Sequence, residues 1–299
     1  MDDMVALPGG AFRMGSGFSA EEGPIHEEWV APFEVDRCAV TNARFAEFVA
    51  STGYVTVAER DLDPALFPGA TQESLAPGSL VFTPTAGPVD LRDWRQWWAW
   101  TPGADWRHPF GPDSSLEGKD EHPVVQVAFE DAAAFAAWDG RRLPSEVEWE
   151  YAARGGLDQA VYAWGDQPND GRLANSWQGR FPYLNTGAGS GSWVGTAPVG
   201  SFPPNGFGLH EMTGNTWEWT STYWTDRLTD PVISCQCSPD TARTTSIAPG
   251  DVTPRRVLKG GSHLCAPEYC LRYRPAARSA QTEDSATTHL GFRCARSTR

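Results

Sequence analysis

The most constraining feature of this sequence is a long stretch, residues 60–123, with neither a helical nor a strand-like pattern. It is dominated by proline, glycine and aspartate and contains the aromatic cluster DWRQWWAWTPGADW. Tryptophan rings can hold such a stretch in place by packing where backbone ladders are missing. The whole chain has 30 Gly, 24 Pro and 14 Trp. We therefore predict an irregular, loop-rich fold and exclude a helix bundle or a simple repeat.

Short helices are predicted outside this stretch. The run TNARFAEFVAST has apolar residues at helical spacing, with Thr41 or Asn42 as its N-cap. The run PSEVEWEYAARGG predicts a second helix, in which Ser145 and Glu148 form a capping box. Between them, VVQVAFEDAAAFAAWDG indicates a short strand followed by a helix. Strand-like pieces elsewhere complete an α+β pattern.

The chain as a whole is expected to be one domain, residues 1–299, because it has no linker composition and no internal repeat. Its 38 acidic and 24 basic side chains give a formal net charge of −14. Such a charge repels nucleic acid and anionic membranes and favours a basic or extended peptide partner. The opening residues lack the pattern of a signal peptide, and no apolar run approaches the length of a membrane span. We expect a soluble, cytoplasmic monomer with reduced cysteines.

Two cysteines five positions apart, Cys265 and Cys270, lie in the segment GGSHLCAPEYC. A disulfide is sterically possible, although closing so short a loop adds little stability. Two thiolates also select soft ions such as Cu(I) or Zn(II). A four-cysteine zinc site would need Cys235 and Cys237, whose spacing is wrong for it. The spacing alone leaves a structural pair and a metal or redox site equally open.

The segment HEMTGNTWEW is the next distinctive one. Glu211 and Glu218 bracket a turn around Asn215, which could bring together the oxygen ligands that calcium takes. Ordinary surface acids are the alternative. If this segment is a strand, Trp217 and Trp219 share one face and Glu218 points to the other.

Several conventional catalytic patterns are missing from the sequence. It has no H-E-x-x-H, no G-x-S-x-G, no P-loop and no strand-linked G-x-G-x-x-G. A hydrolytic zinc site, a kinase and a Rossmann fold therefore have no specific support. Cys38 and Cys294 lie in strand-like runs and are interpreted as buried, inert thiols.

Taken together, these segments resemble one known family in order along nearly the whole chain. The segments are LPGGAFRMG, APFEVDRCAVTNARFAEFV, HPVVQVAFEDAAAFAAW, GRRLPSEVEWEYAARGG, YAWGD, GTAPVGSFPPNGFGL, GNTWEW, KGGSHLCAPEYC, RYRPAARS and GFRC. The family is that of the formylglycine-generating enzymes, or sulfatase-modifying factors. Its most specific segments here are KGGSHLCAPEYC and RYRPAARS.

The resemblance implies an irregular α+β fold with little regular structure, similar to a C-type lectin domain. It also implies an oxidoreductase that uses O2 to convert a cysteine to Cα-formylglycine within a C-x-P-x-R segment of an unfolded sulfatase. By this resemblance, Cys265 and Cys270 bind Cu(I), and the substrate thiolate adds a third sulfur. Such chemistry suits a soft ion with few ligands.

Other site residues are carried over from the same resemblance. Ser262 is expected near the copper site, and Trp217 and Tyr269 are expected to form pocket walls, with core packing as the alternative for the aromatic residues. The arginines that follow the cysteines either line the site or pair with carboxylates: Arg272, Arg274 and Arg278. Two positions depart from the family pattern, Ala266 in place of a frequent histidine and His289 in place of an asparagine. These departures could change substrate preference.

Calcium is the second metal that the resemblance implies. The expected ligands of one site are Glu211, Gly214, Thr216 and Glu218. A second site would use Asn175 and the carbonyl of Ser176, together with a downstream aspartate. The segment NTGAGSGSW has no acid at that place, so this second site is predicted to be damaged.

Two other functions share the scaffold. A lectin-like binding module without catalysis would bind its ligand equally well after either cysteine is removed. A sulfoxide synthase would need an iron-binding helical domain with a histidine cluster, and the sequence has none.

Overall fold

Regular structure in this protein is short and scattered. The computed structural model describes residues 3–66, 69, 71, 75–187, 193–228 and 239–298. Its helices are α1 (Asn42–Thr52), α2 (Phe129–Trp138), α3 (Glu146–Arg154) and α4 (Pro239–Thr245). Its strands are β1 (Met4–Leu7), β2 (Gly10–Met14), β3 (His26–Val30), β4 (Phe33–Asp36), β5 (Gly78–Phe82), β6 (Trp98–Pro102), β7 (Gly179–Arg180), β8 (Leu184–Asn185), β9 (Trp217–Tyr223), β10 (Arg255–Lys259), β11 (Arg278–Thr282), β12 (Leu290–Gly291) and β13 (Ala295–Ser297). The predicted irregular α+β fold is confirmed. None of the helices in these ranges combines the length and the hydropathy that crossing a bilayer requires.

The strands form small sheets rather than one layer. The largest has the order β11-β10-β9-β12, in which β12 runs parallel to β9 and the other pairs are antiparallel. A three-stranded sheet has the order β1-β4-β13 and therefore joins residues from both ends of the chain. Three two-stranded ladders, β2-β3, β5-β6 and β7-β8, complete the set. Loops consequently carry most of the surface.

The predicted helix starts are confirmed. Thr41 is the N-cap of α1, and its hydroxyl accepts a hydrogen bond from the amide of Arg44. Ser145 and Glu148 form the capping box of α3, with the serine hydroxyl accepting from the Glu148 amide and the glutamate accepting from the Ser145 amide. Such boxes satisfy the free amides of a helix start from residues three apart, which is why sequence alone identifies them.

Two local predictions were wrong. The run VVQV before α2 is not a strand, because Gln126 has a φ of +61° and interrupts the extended backbone. The stretch 60–123 is not irregular throughout, since β5 and β6 pair from Gly78↔Pro102 to Phe82↔Trp98. The short apolar run LVF in β5 is typical of a buried strand within this otherwise loop-rich stretch.

Aromatic rings hold the loops together, as the composition indicates. The main core packs Phe45, Phe135 and Phe292 against one another, with ring centroids 5.3–6.4 Å apart. A smaller cluster contains Phe82, Trp97, Trp177, Phe181, Leu264 and Ala266. This smaller cluster fixes the stretch that carries the tryptophans against the segment that follows β10.

Candidate functional site

Two glycines position the cysteine segment directly after β10. Gly260 and Gly261 have φ values of +95° and +68°. A Cβ on Gly260 would lie 2.9 Å from the carbonyl oxygen of Met212, and one on Gly261 would lie 2.7 Å from the backbone carbonyl of Arg272. Only glycine permits both this backbone conformation and this close approach. The turn brings the chain that enters the cysteine segment against the chain that leaves it.

The two cysteine sulfurs face each other in this segment. Their Sγ atoms are 3.2 Å apart, and both residues are free thiols rather than a disulfide. The carbonyl of Ala266 accepts from the amides of both Tyr269 and Cys270, which folds the five-residue loop back on itself. Cys265 is buried and Cys270 is half-buried. Cys270 therefore lies closer to the surface than Cys265.

The two thiols differ in acidity. Burial raises the pKa of Cys265 well above its usual value. The hydrogen bond from Cys265 lowers the pKa of Cys270, against the effect of its own burial and with help from the charge of Arg272. Cys270 is therefore the more acidic of the two thiols, so a thiolate forms there before it forms at Cys265.

Ser262 lies at the buried side of this pair. Its amide donates to Cys265 Sγ at 3.4 Å, and its hydroxyl accepts from the amide of Leu264 at 3.2 Å. The carbonyl of Ser262 also accepts from the amide of Cys265. These bonds orient the Cys265 side chain, so the structure brings Ser262 to the sulfur pair.

The aromatic residues predicted as walls occupy different depths. Trp217 is buried in the core cluster that also contains Cys265 and Tyr273. Tyr269 is 40% exposed, stacks on Phe181 with ring centroids 4.6 Å apart, and meets Trp97 edge-on at 5.5 Å. Tyr269 thus lies at the rim beside Cys270, whereas the position of Trp217 also suits core packing.

The three arginines beyond the cysteines pair with carboxylates. Arg274 makes a bidentate contact with buried Glu22. Arg278 makes a bidentate contact with buried Glu146. Arg272 is more exposed and lies 3.3 Å from Glu21. All three arginines therefore pair with carboxylates, and the charges of Arg272 and Arg274 also lower the pKa of the Cys270 thiol.

The two departures from the family pattern lie at different depths. Ala266 is fully buried within the smaller aromatic cluster. His289 is partly exposed, with its ring 4.8 Å from that of Trp98, and its carbonyl accepts from the amide of Trp217. Of the two, His289 is the one that reaches the surface near the site.

The residues predicted to hold calcium lie in the bend before β9 and at the start of that strand. No backbone amide of the described residues donates to the carbonyl oxygens of Gly214 or Thr216, which suits a calcium ion. Glu218, however, already binds Arg293 through both oxygens and accepts from the indole of Trp149. The carboxylate of Glu211 accepts from two backbone amides. The carbonyls fit calcium, whereas both carboxylates already have partners.

The second calcium site is incomplete in the part of the chain that can be described. The side-chain amide of Asn175 donates to the carbonyl of Gly195 and to Oδ1 of Asn215, and the backbone carbonyl of Asn175 accepts from the backbone amide of Asn215. The Ser176 carbonyl accepts from Gln178. Residues 188–192, where the missing acid would fall, lie outside the described residues. Asn175 thus connects two loops through hydrogen bonds.

The other cysteines make no metal cluster within the described ranges. Burial raises the pKa of Cys38 to about 11 and that of Cys294 well above its usual value, as expected of inert thiols. Cys38 is only half-buried. Cys235 and Cys237 lie outside the described residues. No group of three or more His, Cys, Asp or Glu side chains in the described part could hold a metal ion.

Sequence reasoning named Arg278 but missed the other charged residues that support the site from below. Lys259, Glu146, Glu150, Arg154 and Arg278 form a buried network of charges under β10 and α3. Charged residues are seldom fully buried unless paired. Apart from Glu150 and Arg154, which are four positions apart in α3, the partners lie more than 100 positions apart, so the sequence carried no signal of their burial.

The chain is similar to known proteins along nearly its whole length. The family model described as Sulfatase-modifying factor enzyme 1-like domain matches residues 1–298. The formylglycine-generating enzyme of Mycobacterium tuberculosis is 61% identical over 298 residues, which cover 98% of this chain and 97% of that relative. The inactive Cα-formylglycine-generating enzyme 2 of Mus musculus is 39% identical, with 98% and 85% covered. The solved structure of PvdO from Pseudomonas aeruginosa aligns with a TM-score of 0.62 and 25% identity over 100% of this chain and 96% of that chain. Since one relative is named inactive, membership of this family alone does not establish activity.

Proposed function

Because this chain belongs to the sulfatase-modifying factor family, we propose that it is an oxidase that converts a cysteine of an unfolded sulfatase to Cα-formylglycine. The substrate segment is C-x-P-x-R, and O2 is the oxidant. The observation that carries this proposal is the pair of free thiols of Cys265 and Cys270, 3.2 Å apart at a partly open site.

The donor set at this site suits copper(I). Two cysteine sulfurs of unequal acidity face each other, and soft thiolate ligands select Cu(I) among common ions. Cys265 and Cys270 would hold the ion, and the substrate thiolate would approach beside Cys270 because that side is open. When bound, copper supplies the electron-transfer chemistry by which O2 reacts.

The proposed overall reaction balances with one external reductant. The substrate side chain CH2–SH loses two electrons and two protons to become a thioaldehyde, and water then converts it to the aldehyde with release of hydrogen sulfide. O2 takes up four electrons and four protons and leaves as two water molecules. Two of these electrons come from the substrate and two from an added thiol reductant.

The residues around the sulfurs position and shield them. The Ser262 amide and carbonyl orient Cys265. Trp217 and Tyr273 cover its buried side with apolar surface and exclude water. Tyr269 stands at the rim, where its ring can contact the substrate segment. This arrangement supports placement of the reacting atoms and exclusion of stray reactions.

Calcium is a second part of the proposal, with a structural role. Gly214 and Thr216 would supply carbonyl oxygens beside Glu218 and Glu211. Since the carboxylates already have partners, we expect weak binding. A thermal unfolding midpoint that rises with added Ca2+ and falls with EGTA would support it. Identical midpoints in both would remove calcium from the proposal.

The decisive experiment is mass spectrometry of a C-x-P-x-R peptide after incubation with the protein, Cu(I), a thiol reductant and air. A mass loss of about 18 Da at the peptide cysteine follows from replacing CH2–SH by CHO. Cys265→Ser and Cys270→Ser should each abolish it. Cys38→Ser is the matched control, because Cys38 is also a half-buried free thiol but lies outside the site.

The alternative is a non-catalytic binding module on the same scaffold. It predicts an unchanged peptide mass with copper fully loaded, and peptide binding that survives both cysteine substitutions. The unchanged peptide mass with copper loaded would contradict the oxidase proposal.

A further inference from the structure

A cavity lies where the end of α3 meets the β2-β3 ladder. Its volume is about 430 Å³, which is within the range of small-molecule sites. Phe12, Tyr151, Arg154, Leu157 and Phe207 are among the residues that line it, and we call it the α3 cavity. The residues that line it include neither cysteine of the candidate site.

Three aromatic rings form one side of the α3 cavity. Tyr151 meets Phe12 edge-on with ring centroids 5.5 Å apart, and Phe207 lies 5.4 Å from Tyr151 at a tilt of 36°. The hydroxyl of Tyr151 donates to the carbonyl of Gly9, so its polar end already has a partner. This side of the cavity therefore offers apolar surface that suits another ring.

A buried guanidinium group supplies the polar part of the α3 cavity. Arg154 is 5% exposed, and its Nε and Nη2 atoms donate to Glu150. Nη2 also donates to the carbonyl of Gly15. The Nη1 atom donates to none of the residues that the structure describes, yet it is not one of the fully enclosed polar atoms without a partner. Since Arg154 lines the cavity, a ligand there can reach this N–H group.

The buried charges behind Arg154 are not balanced. This network contains three cations and two carboxylates, namely Arg154, Lys259, Arg278, Glu146 and Glu150. The neighbouring pair of Arg274 and Glu22 adds no net charge. One positive charge is therefore in excess among these buried side chains. Because a buried charge is costly without a counter-charge, an anion on Nη1 of Arg154 would be favoured.

The charged groups at the mouth of the α3 cavity leave room for an anion. Arg13 binds Asp158 through two hydrogen bonds of 2.9 and 2.6 Å, so these two charges cancel. Glu27 also lines the cavity and makes no ion pair with the described residues. Its side chain is exposed, so water and salt screen its repulsion of an anion.

From this geometry we propose that the α3 cavity binds a small organic anion, a carboxylate that carries one aromatic ring. The carboxylate accepts from Nη1 of Arg154, and the ring packs on the aromatic side of the cavity. A carboxylate matches both the guanidinium group and the single excess charge. The site is separate from the sulfur pair, and the inference does not depend on the proposed function.

The test uses the metal-free, full-length protein and probes that differ in charge or in the ring. Phenylacetate has both the ring and the carboxylate, whereas acetate lacks the ring. The probes 2-phenylethanol and 2-phenylethylammonium keep the ring but are neutral and positively charged. Saturation-transfer NMR titrations measure the dissociation constant of each. We expect phenylacetate to bind about tenfold or more tightly than any other probe, since one hydrogen bond between charged groups, or the burial of one ring, has an effect of that order.

Substitutions locate the bound anion. Leu157 is 40% exposed and lines the cavity, so the indole of Leu157→Trp should fill the space and weaken phenylacetate binding about tenfold. Val161→Trp is the matched control, because Val161 is 42% exposed, lies four positions further along the chain and does not line the cavity. It should leave the dissociation constant unchanged. Arg13→Gln combined with Asp158→Asn removes the pair at the mouth without changing the net charge and should also leave it unchanged.

Several outcomes would overturn the inference. Tighter binding of 2-phenylethylammonium than of phenylacetate would show that the cavity takes cations on its rings and carboxylates. Equal binding of phenylacetate and 2-phenylethanol would remove Arg154 from the site. Loss of phenylacetate binding in the Arg13 and Asp158 double variant would place the anion on Arg13 instead. Absence of phenylacetate binding, or binding that Leu157→Trp leaves unchanged, would show that the cavity does not hold this ligand.

Discussion

The buried charges beneath β10 predict unequal costs for two substitutions. Glu146 makes a bidentate contact with Arg278, with both hydrogen bonds at 2.8 Å. Lys259 lies 3.0 Å from Glu150 and 3.7 Å from Glu146, while Arg154 binds Glu150 independently at 2.7 Å. All five side chains are at most 5% exposed. Glu146→Gln therefore strips a buried guanidinium of its carboxylate, whereas Lys259→Met leaves two carboxylates that each keep an arginine.

The expected magnitudes follow from this pairing. Removing one partner of a buried ion pair costs roughly 3–5 kcal/mol, so we expect about 4 kcal/mol for Glu146→Gln. Lys259→Met keeps both remaining pairs and leaves one carboxylate oxygen of Glu150 without its donor, which costs about 2 kcal/mol. Methionine is unbranched and can follow the path of the lysine stem.

Urea unfolding followed by tryptophan fluorescence measures both costs. With an m-value of about 3 kcal/mol/M, the midpoint should fall by about 1.3 M for Glu146→Gln and by about 0.7 M for Lys259→Met. Glu130→Gln is the control, since Glu130 pairs with Arg60 on the surface and should cost about 0.5 kcal/mol or less. If Lys259→Met proved as costly as Glu146→Gln, or costlier, the pairing described here would be refuted.

Three other predictions concern the site itself. Burial lowers the pKa of His263 to about 4 from an ordinary value of 6.5. Between these pH values the unfolded chain therefore binds more protons than the folded protein. The free energy of unfolding falls by about 3 kcal/mol as the pH falls from 6.5 to 4. His263→Asn should remove this component in urea titrations at pH 7 and pH 4, and an unchanged pH dependence would contradict it. Gly261→Ala should cost more than the ~1–2 kcal/mol of a left-handed alanine and should abolish product formation, because its Cβ meets backbone at 2.7 Å. Gly53→Ala, with a φ of +67° and open space around it, is its control in thermal unfolding, and equal costs would argue against the close approach. Iodoacetamide should label Cys270 before Cys265 in peptide mass mapping, because Cys270 is the more acidic thiol. Cys265→Ala should slow the labelling of Cys270, because the hydrogen bond that lowers the pKa of Cys270 is lost. Labelling of Cys265 first would reverse this order of acidity.

Local features of the sequence predicted local structure well. Thr41 and Ser145 cap helices because capping depends on residues within one helical turn. The strand expected at VVQV failed because a single residue, Gln126, adopts a left-handed conformation that its neighbours do not encode. The tryptophan-rich stretch behaved as its composition indicates, apart from the β5-β6 pair.

The candidate site was predicted less directly. The spacing of Cys265 and Cys270 alone left a structural pair and a metal site equally open, and the resemblance to a family supplied the choice. The predicted calcium site was harder to judge from sequence because Glu218 already pairs with Arg293. Arg293 is 75 positions away, and its approach to Glu218 depends on the assembled fold.

The three-stranded sheet contains strands from both ends of the chain, so the order of synthesis affects when it can form. In this sheet β4 has β1 on one side and β13 on the other, and Arg293 donates to the carbonyls of Asp36 and Arg37. A ribosome releases residues 33–37 long before residues 293–297, so the partners of β4 on one edge do not yet exist while most of the protein is being made. Contacts of such long sequence separation form slowly. We conclude that this sheet is completed only after translation has passed its last strand, and that the backbone groups on one edge of β4 lack the pairing of β13 until then.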